Sequence, residues 1–442
     1  MTSPTPAPPV PQAPPQPGAP APVPVPQGAV VAAPQPAPSA RRTADSATRV
    51  TRLSLAATVA CLLAALLGFL GAQQQAGGMS RAADGADRVL AVMELRQALL
   101  EADGAATNAF LVGGLEPLDR RERYDEAIER ASVLVVELSQ DAGRDAQLIA
   151  GLNTDLATYT SLVEAARVNN RQGFPVGAAY LDQASTLVRE QMLVDLDTVL
   201  EMAADDAAGA FRAGGWAALV LAAVVVGAVV LVLVQVRLAA MTRRRLNAGL
   251  VVATLLLVVA FVGGAMVSLR AAEHAADVRT DVYRPTLAVA QSAVLAAEAR
   301  TLESFTLIKR GSGAPYEALF VERTTAAADL LDRERQPGQR LSALLEDWLE
   351  GHAEIRALDD GGDWEEAVEL AVTDDEGGPS AAYAAFAEAA DVTVAEGAAQ
   401  VRAEVGGAGS DARRAAWLAA AAGLLGAVVA WRGTAARREE YR

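Results

Sequence analysis

The sequence predicts an all-α membrane protein: four transmembrane helices and two extracytoplasmic four-helix bundles, arranged as a tandem span–bundle–span duplication. Three observations carry this. Residues 53–72, 216–236, 248–269 and 415–431 are long apolar runs nearly free of charge, and three of them reach the length of about 20 residues that a helix needs to cross a bilayer. Each pair of runs encloses roughly 140 polar residues with helical patterning. The charge is also unevenly distributed. Residues 73–214 hold 12 Arg against 23 Asp/Glu and residues 270–414 hold 14 Arg/Lys against 28, whereas the rest of the chain holds 12 Arg against three acids.

That charge pattern sets the orientation. Arg41, Arg42, Arg49 and Arg52 precede the first run, Arg237 and Arg243-Arg244-Arg245 fill the turn at 237–247, and Arg432, Arg437, Arg438 and Arg442 follow the last run. Short basic flanks stay in the cytoplasm. Both termini, including the tail at 432–442, are expected inside the plasma membrane of the cell, and both acidic lobes outside. Acidic lobes also argue against nucleic-acid binding, which needs a basic face.

Residues 1–40 hold 15 of the 21 prolines, with overlapping PxxP spacings from Pro8 to Pro20. Proline fixes φ and lacks an N–H, so this segment is expected to be a disordered cytoplasmic tail populating polyproline II. It serves as a docking tail for a proline-binding partner or only as a solvated one. The run at 53–72 is too long, and lies too far from the N-terminus, for a secretory signal, so it reads as an uncleaved anchor. Cys61, the only cysteine, lies inside it, and no intrachain disulfide is possible.

In the first lobe, Gly/Pro punctuation places helices near 73–112, 117–140, 144–171 and 176–213, with turns at Gly113-Gly114, Gly143 and Gly173-Phe174-Pro175. Apolar positions such as Leu193, Leu196 and Leu200 recur at three- and four-residue steps, which gives a stripe that needs partner helices. In the second lobe the helices fall near 270–310, 314–335, 338–358 and 363–411, the last interrupted at Gly377-Gly378-Pro379. The run at 415–431 is the shortest and richest in Ala. Trp417 and Trp431 mark its ends, and a helix lying on the membrane surface is its competing reading.

The two lobes look duplicated. Asp103 and Phe110 match Glu298 and Phe305 at one spacing, Tyr124 matches Tyr316, and Arg167 matches Arg356, all in the same order along the chain. Chance similarity between Ala-rich helices is the competing explanation.

No catalytic constellation is present. The two histidines, His274 and His352, lack zinc-site spacing, and no phosphate-binding glycine loop or kinase signature occurs. The chain reads as a non-enzyme with no cofactor and no metal. Each histidine reads as a surface or satisfied residue. The acidic run Asp359–Glu366 lacks EF-hand spacing, and a helix start explains it better, with Asp363 as N-cap and Glu366 completing a capping box. The runs hold almost no polar groups at mid-membrane, which disfavours transport by these spans alone.

Span, four-helix lobe, span is the plan of the sensory half of chemoreceptors and sensor kinases. Residues 41–442 resemble the GlnX-type membrane protein of actinobacteria, most closely in Phe174-Pro175-Val176-Gly177-Ala178-Ala179-Tyr180-Leu181, followed by Ala184-Ser185, and in the Arg-rich turn between the second and third runs. The resemblance implies a glutamine-binding, solute-binding lipoprotein as partner outside, a soluble PknG-type Ser/Thr kinase inside, and sensing of aspartate or glutamate. The expected function is thus a transmembrane sensor or signal adaptor. A structural or scaffold membrane protein, or an accessory subunit of a transporter, is the alternative. The candidate signalling residues are Arg243, Arg244 and Arg245; no ligand-binding residue is indicated. The lipid bilayer is the other expected partner, and a homo-oligomer is compatible with the pattern.

Overall fold

Alanine, leucine and alternating charges fill the stretches between glycine and proline clusters, and these stretches form helices. The structure is a computed structural model that describes residues 40–112, 118–140, 142–212, 216–242, 247–334, 337–373 and 377–439, with no strand among them. The Pro-rich tail to residue 39, the Gly113-Gly114 turn and the Arg243-Arg244-Arg245 turn lie outside the described residues.

Helix α1, Ala40–Val112, is 73 residues long and therefore about 110 Å at 1.5 Å per residue. It carries the apolar run 53–72 into the first lobe without a break. There α2 (Leu118–Gln140), α3 (Ala146–Arg171), α4 (Val176–Leu187) and α5 (Leu193–Arg212) join it. The turn between α3 and α4 falls at the expected Gly173, whose φ of 71° suits glycine. A π-helical segment, Val188–Met192, links α4 to α5.

Helix α6 spans Trp216–Thr242 and α7 spans Ala248–Val278. A second π segment, Arg279–Tyr283, connects α7 to α8, Arg284–Ile308, in one continuous rod. The second lobe adds α9 (Ala314–Asp332), α10 (Pro337–Gly361), α11 (Trp364–Val372) and α12 (Pro379–Glu439). The helix expected at 363–411 is thus two helices, and the second of them runs on through residues 415–431 without interruption.

The capping box expected at Asp363 does not form. Asp363 occupies the N-cap position of α11, but its side chain makes no cap bond. Its ψ of 53° departs from the extended geometry in which an N-cap side chain reaches back into the first turn. The backbone turn closes the helix start, with Asp363 N–H donating to the Leu358 carbonyl at 3.0 Å. Asp359 and Asp360 are taken up by Arg356, at 2.6 and 2.5 Å.

Three described helices are long and apolar enough to cross a membrane: the stretches Thr48–Leu111, Ala248–Ile308 and Pro379–Ala435. They carry the first, third and fourth expected runs. The second falls on α6, whose described apolar stretch, Val225–Met241, is shorter.

In the apolar segments, α1 and α12 turn small residues inward against larger ones of α6 and α7. Ala57, Cys61 and Ala64 of α1 meet Leu231 and Val234 of α6, Leu250 and Ala253 of α7, and Ala427 and Ala430 of α12 in one core. Leu63, Leu66, Val226, Val259 and Leu425 point outward and are exposed. In water such a surface would be a large apolar patch, whereas in lipid it is the solvated face.

Between the apolar segments and the lobes, Ala83 and Ala86 of α1, Ala271 and Val278 of α7, and Val401 and Val405 of α12 form a three-helix stalk. The first-lobe core draws on α1 to α5, and it also takes Ala290, Val294 and Ala297 from α8. The opposite face of α8, with Val289, Ala293, Ala296 and Leu302, enters the second core beside Phe320, Trp348 and Phe386. Because α8 serves both cores, it is buried nearly all round, and alanine is the residue that allows this.

Candidate functional site

Helices α1, α8 and α12 join the lobe cores to the apolar segments, so the groups binding them to one another form the candidate site. Helix α1 crosses α8 at Gly104, where an added Cβ would lie 3.4 Å from Thr301 Oγ1. Three polar clusters surround this crossing.

The first cluster lies at the far end of α11. A helix terminus leaves its last carbonyls unpaired. Arg300 of α8 donates to the Ala371 carbonyl at 3.2 Å and to Ser380 Oγ at 2.6 Å. Arg120 of α2 donates to the neighbouring Val372 carbonyl and, at 2.9 Å, to Asn108 Oδ1 of α1. Two arginines, one from each lobe, therefore cap one helix C-terminus, where the helix dipole also favours positive charge.

The second cluster joins α1 to α12. Gln97 donates to Asp391 at 2.6 Å and to Glu101 at 2.8 Å, and Arg130 of α2 reaches Glu101 at 3.2 Å. Burial pushes the Glu101 and Asp391 carboxyls above the usual carboxylate range, against the pull of Gln97 and Arg130.

The third cluster lies between α1, α4 and α8. Asp103 is fully buried and accepts from Ser185 Oγ at 2.6 Å, with Arg189 of the π segment 4.0 Å away. The Arg189 guanidinium stands 5.2 Å from the Phe305 ring centroid of α8. Burial raises the Asp103 carboxyl to about 6, and Arg189 and Ser185 oppose the rise.

Inside the second lobe lies a denser nest. Glu303, fully buried on α8, accepts from Arg300 at 2.6 Å and from Trp348 Nε1 at 3.3 Å, and it meets His352 Nδ1 at 3.3 Å. His352 Nε2 faces Glu317 at 3.2 Å. Burial works against both charges. Arg300 and His352 outweigh it at Glu303, whose pKa falls, and the two glutamates outweigh it at His352, whose pKa rises. His352 is thus satisfied in the core, while His274 is half-exposed and sits 3.5 Å from Glu404. Among the described residues, no group of three or more His, Cys, Asp or Glu side chains is placed to hold a metal ion.

At the end of the apolar segments away from the lobes, Ser54 of α1 and Thr434 of α12 share a buried hydrogen bond of 2.6 Å. Asn247 caps α7 by accepting from Gly249 N–H at 3.1 Å, and it donates to the Gly433 carbonyl of α12 at 3.1 Å. Gly249 and Gly433 touch so closely that a Cβ on Gly249 would lie 2.7 Å from Gly433 Cα. The candidate residues Arg243, Arg244 and Arg245 fall just before this latch in sequence and outside the described residues.

The duplicated positions behave alike only in part. Arg167 of α3 lies 4.1 Å over the Tyr124 ring of α2, and Arg356 of α10 pairs at 3.6 Å with Glu317, beside Tyr316 of α9. Asp103 and Glu298 differ: the first is sealed against Ser185, and the second pairs with Arg323 at 3.0 Å near the surface. Sequence reading missed Glu303, Arg189 and the Asn247–Gly433 latch, and it singled out Ser185 only within the resembling stretch, with no role. The signal for Glu303 was a single acid inside the run from Leu302 to Leu307.

No curated protein and no solved structure matches the chain. Residues 78–212 do match a family described as the actinobacterial sensor domain, a stretch that runs from within α1 to the end of α5. In its first lobe, then, this helical chain with its membrane-length helices is similar to an actinobacterial sensor domain.

Proposed function

We propose that the chain is a non-enzymatic transmembrane sensor or signal adaptor of the plasma membrane, with four spans, two outer lobes and both termini in the cytoplasm. The carrying observation is the continuity of α1 and α12. Each runs unbroken from a lobe core through an apolar segment to the Ser54–Thr434 contact at its inner end. A shift of either helix in its lobe moves its inner end, because a helix transmits axial displacement with little loss. The seam between them is built of small residues: a Cβ on Gly423 would fall 2.3 Å from Ala65 Cβ, and Gly426 lies against Cys61. Such flat seams allow small sliding movements between packed states.

The match of residues 78–212 to a sensor domain supports the sensory role of the first lobe. The Arg167–Tyr124 and Arg356–Glu317 pairs support a second lobe of the same descent. The resemblance to GlnX-type proteins supports a solute-binding lipoprotein as the outer partner and a PknG-type kinase as the inner one, with aspartate or glutamate as the nutrient reported. The test is phosphorylation of the kinase's substrate after either amino acid is added, in cells with and without the chain. The account expects the response to require the chain, and an unchanged response in its absence sinks the proposal.

A further inference from the structure

The first lobe holds a cavity of about 190 Å³ near its membrane-distal end, where α1, α2, α3 and α4 meet. Its position follows from length. Ala106 and Ala109 lie some 35 residues beyond the apolar run on the same helix, about 50 Å above the membrane. The floor is apolar, formed by Ala106, Ala109, Val163, Ala166 and Leu181, all buried. Gly177 lets α4 close against α3 there, since a Cβ would lie 3.1 Å from the Ala166 carbonyl.

The rim is charged. Arg121, Arg167 and Arg171 line it against a single carboxylate, Glu164. Glu164 receives Arg121 and Arg167 at 2.9 Å each, which holds both guanidinium groups at the mouth. Arg167 is fixed further by its position 4.1 Å over Tyr124. Arg171 is exposed in the last turn of α3. Arg121 also pairs with Asp125 at 3.1 Å, so three guanidinium groups meet two carboxylates and the mouth keeps one positive charge, on a lobe whose residues 73–214 carry 11 more acids than bases.

We propose that this cavity binds a small organic monocarboxylate directly, its carboxylate on the arginine rim and its compact apolar end on the floor. Guanidinium groups match a carboxylate in two-point geometry. The floor residues are apolar, Asn170 of the lining donates its amide to the Phe110 carbonyl at 3.3 Å, and an apolar cavity of about 150 Å³ is known to take a benzene-sized body. A dicarboxylate would press its second charge onto that floor, and an inorganic anion would leave the floor empty. The site deepens the sensor reading by giving the first lobe a ligand of its own.

The test uses the full-length chain in lipid nanodiscs and isothermal titration calorimetry with sodium benzoate, benzyl alcohol and inorganic phosphate. Benzoate is expected to bind saturably at one site, and the other two are not. Arg171→Gln, at an exposed position, is expected to weaken benzoate about tenfold through loss of a charged hydrogen bond. Ala109→Leu fills the floor without changing charge, and it is expected to abolish binding while the chain stays folded. Equal binding of benzyl alcohol overturns the role of the arginines, and equal binding of phosphate overturns that of the floor. Absence of saturable benzoate binding, or its survival in Ala109→Leu, overturns the site itself. A kinase response to amino acids without benzoate binding removes this site alone, whereas benzoate binding in a chain dispensable for that response removes the sensor reading alone.

Discussion

Replacing Glu303 by alanine should be among the most damaging single changes in the second lobe. The carboxylate is fully buried, and it faces Arg300 at 2.6 Å, His352 at 3.3 Å and Trp348 at 3.3 Å. Breaking a buried ion pair by removing one partner costs roughly 3–5 kcal/mol, because the other charge is left uncompensated. Here Arg300 keeps Ser380 and the Ala371 carbonyl, and His352 keeps Glu317. The cost should therefore fall near the lower end, about 3 kcal/mol. Asp206→Ala is the control: its pair with Arg144 is exposed on both sides, and it should cost less than about 1 kcal/mol. Thermal unfolding of the full chain in nanodiscs, read by tryptophan fluorescence, measures both. The pH dependence supplies a second check. Because the pKa of His352 is raised in the folded chain to about 9, its stabilisation is complete below the unfolded value of about 6.5 and is lost as pH rises through the folded value. The difference between wild type and Glu303→Ala should narrow between pH 7 and pH 10. A cost below about 1 kcal/mol, or a difference that stays constant to pH 10, would refute the assignment of this nest as a charged, stabilising core.

Further outcomes follow from the same contacts. Leu196 is fully buried in the first-lobe core, and Leu196→Ala should lower unfolding stability by about 2–5 kcal/mol in the same assay. Gly249→Val places a Cβ 2.7 Å from Gly433 Cα and should cut the yield of folded, monodisperse protein, whereas Gly263→Ala, with nothing within 4 Å, should not. In a Cys61→Ser background, an impermeant thiol reagent should label Ser139→Cys and Ser342→Cys in intact cells and spare Met241→Cys, and labelling of the last would overturn the proposed orientation.

Local structure was legible where composition punctuates it. The Gly173-Phe174-Pro175 turn separates α3 from α4 as expected, and Gly377-Gly378-Pro379 marks the start of α12. Three of the four apolar runs announced membrane-length helices, since length and lack of charge are readable without contacts. The assembly of the lobes was not legible. Alanine at 290, 293, 296 and 297 has no face preference in sequence, so nothing showed that α8 serves two cores. The nest around Glu303 draws Trp348 and His352 from α10 and, through His352, Glu317 from α9, and a lone acid among Leu, Ser, Phe and Thr does not name them. The π segments at Val188–Met192 and Arg279–Tyr283 keep helical composition, so they leave no compositional trace. The cap at Asp363 failed for the opposite reason. Its residue types were right, and the backbone turn from Leu358 had already closed the helix start.

The central claim is that a shift between α1 and α12 carries the signal inward. A lock on that movement tests it most directly. Ser54 Oγ and Thr434 Oγ1 lie 2.6 Å apart, so Ser54→Cys with Thr434→Cys in a Cys61→Ser chain places two thiols within bonding reach. In permeabilised cells treated with copper phenanthroline, the disulfide should abolish the amino-acid-dependent change in kinase-substrate phosphorylation, and dithiothreitol should restore it. A full response from chains shown to carry the disulfide would contradict signalling through this seam.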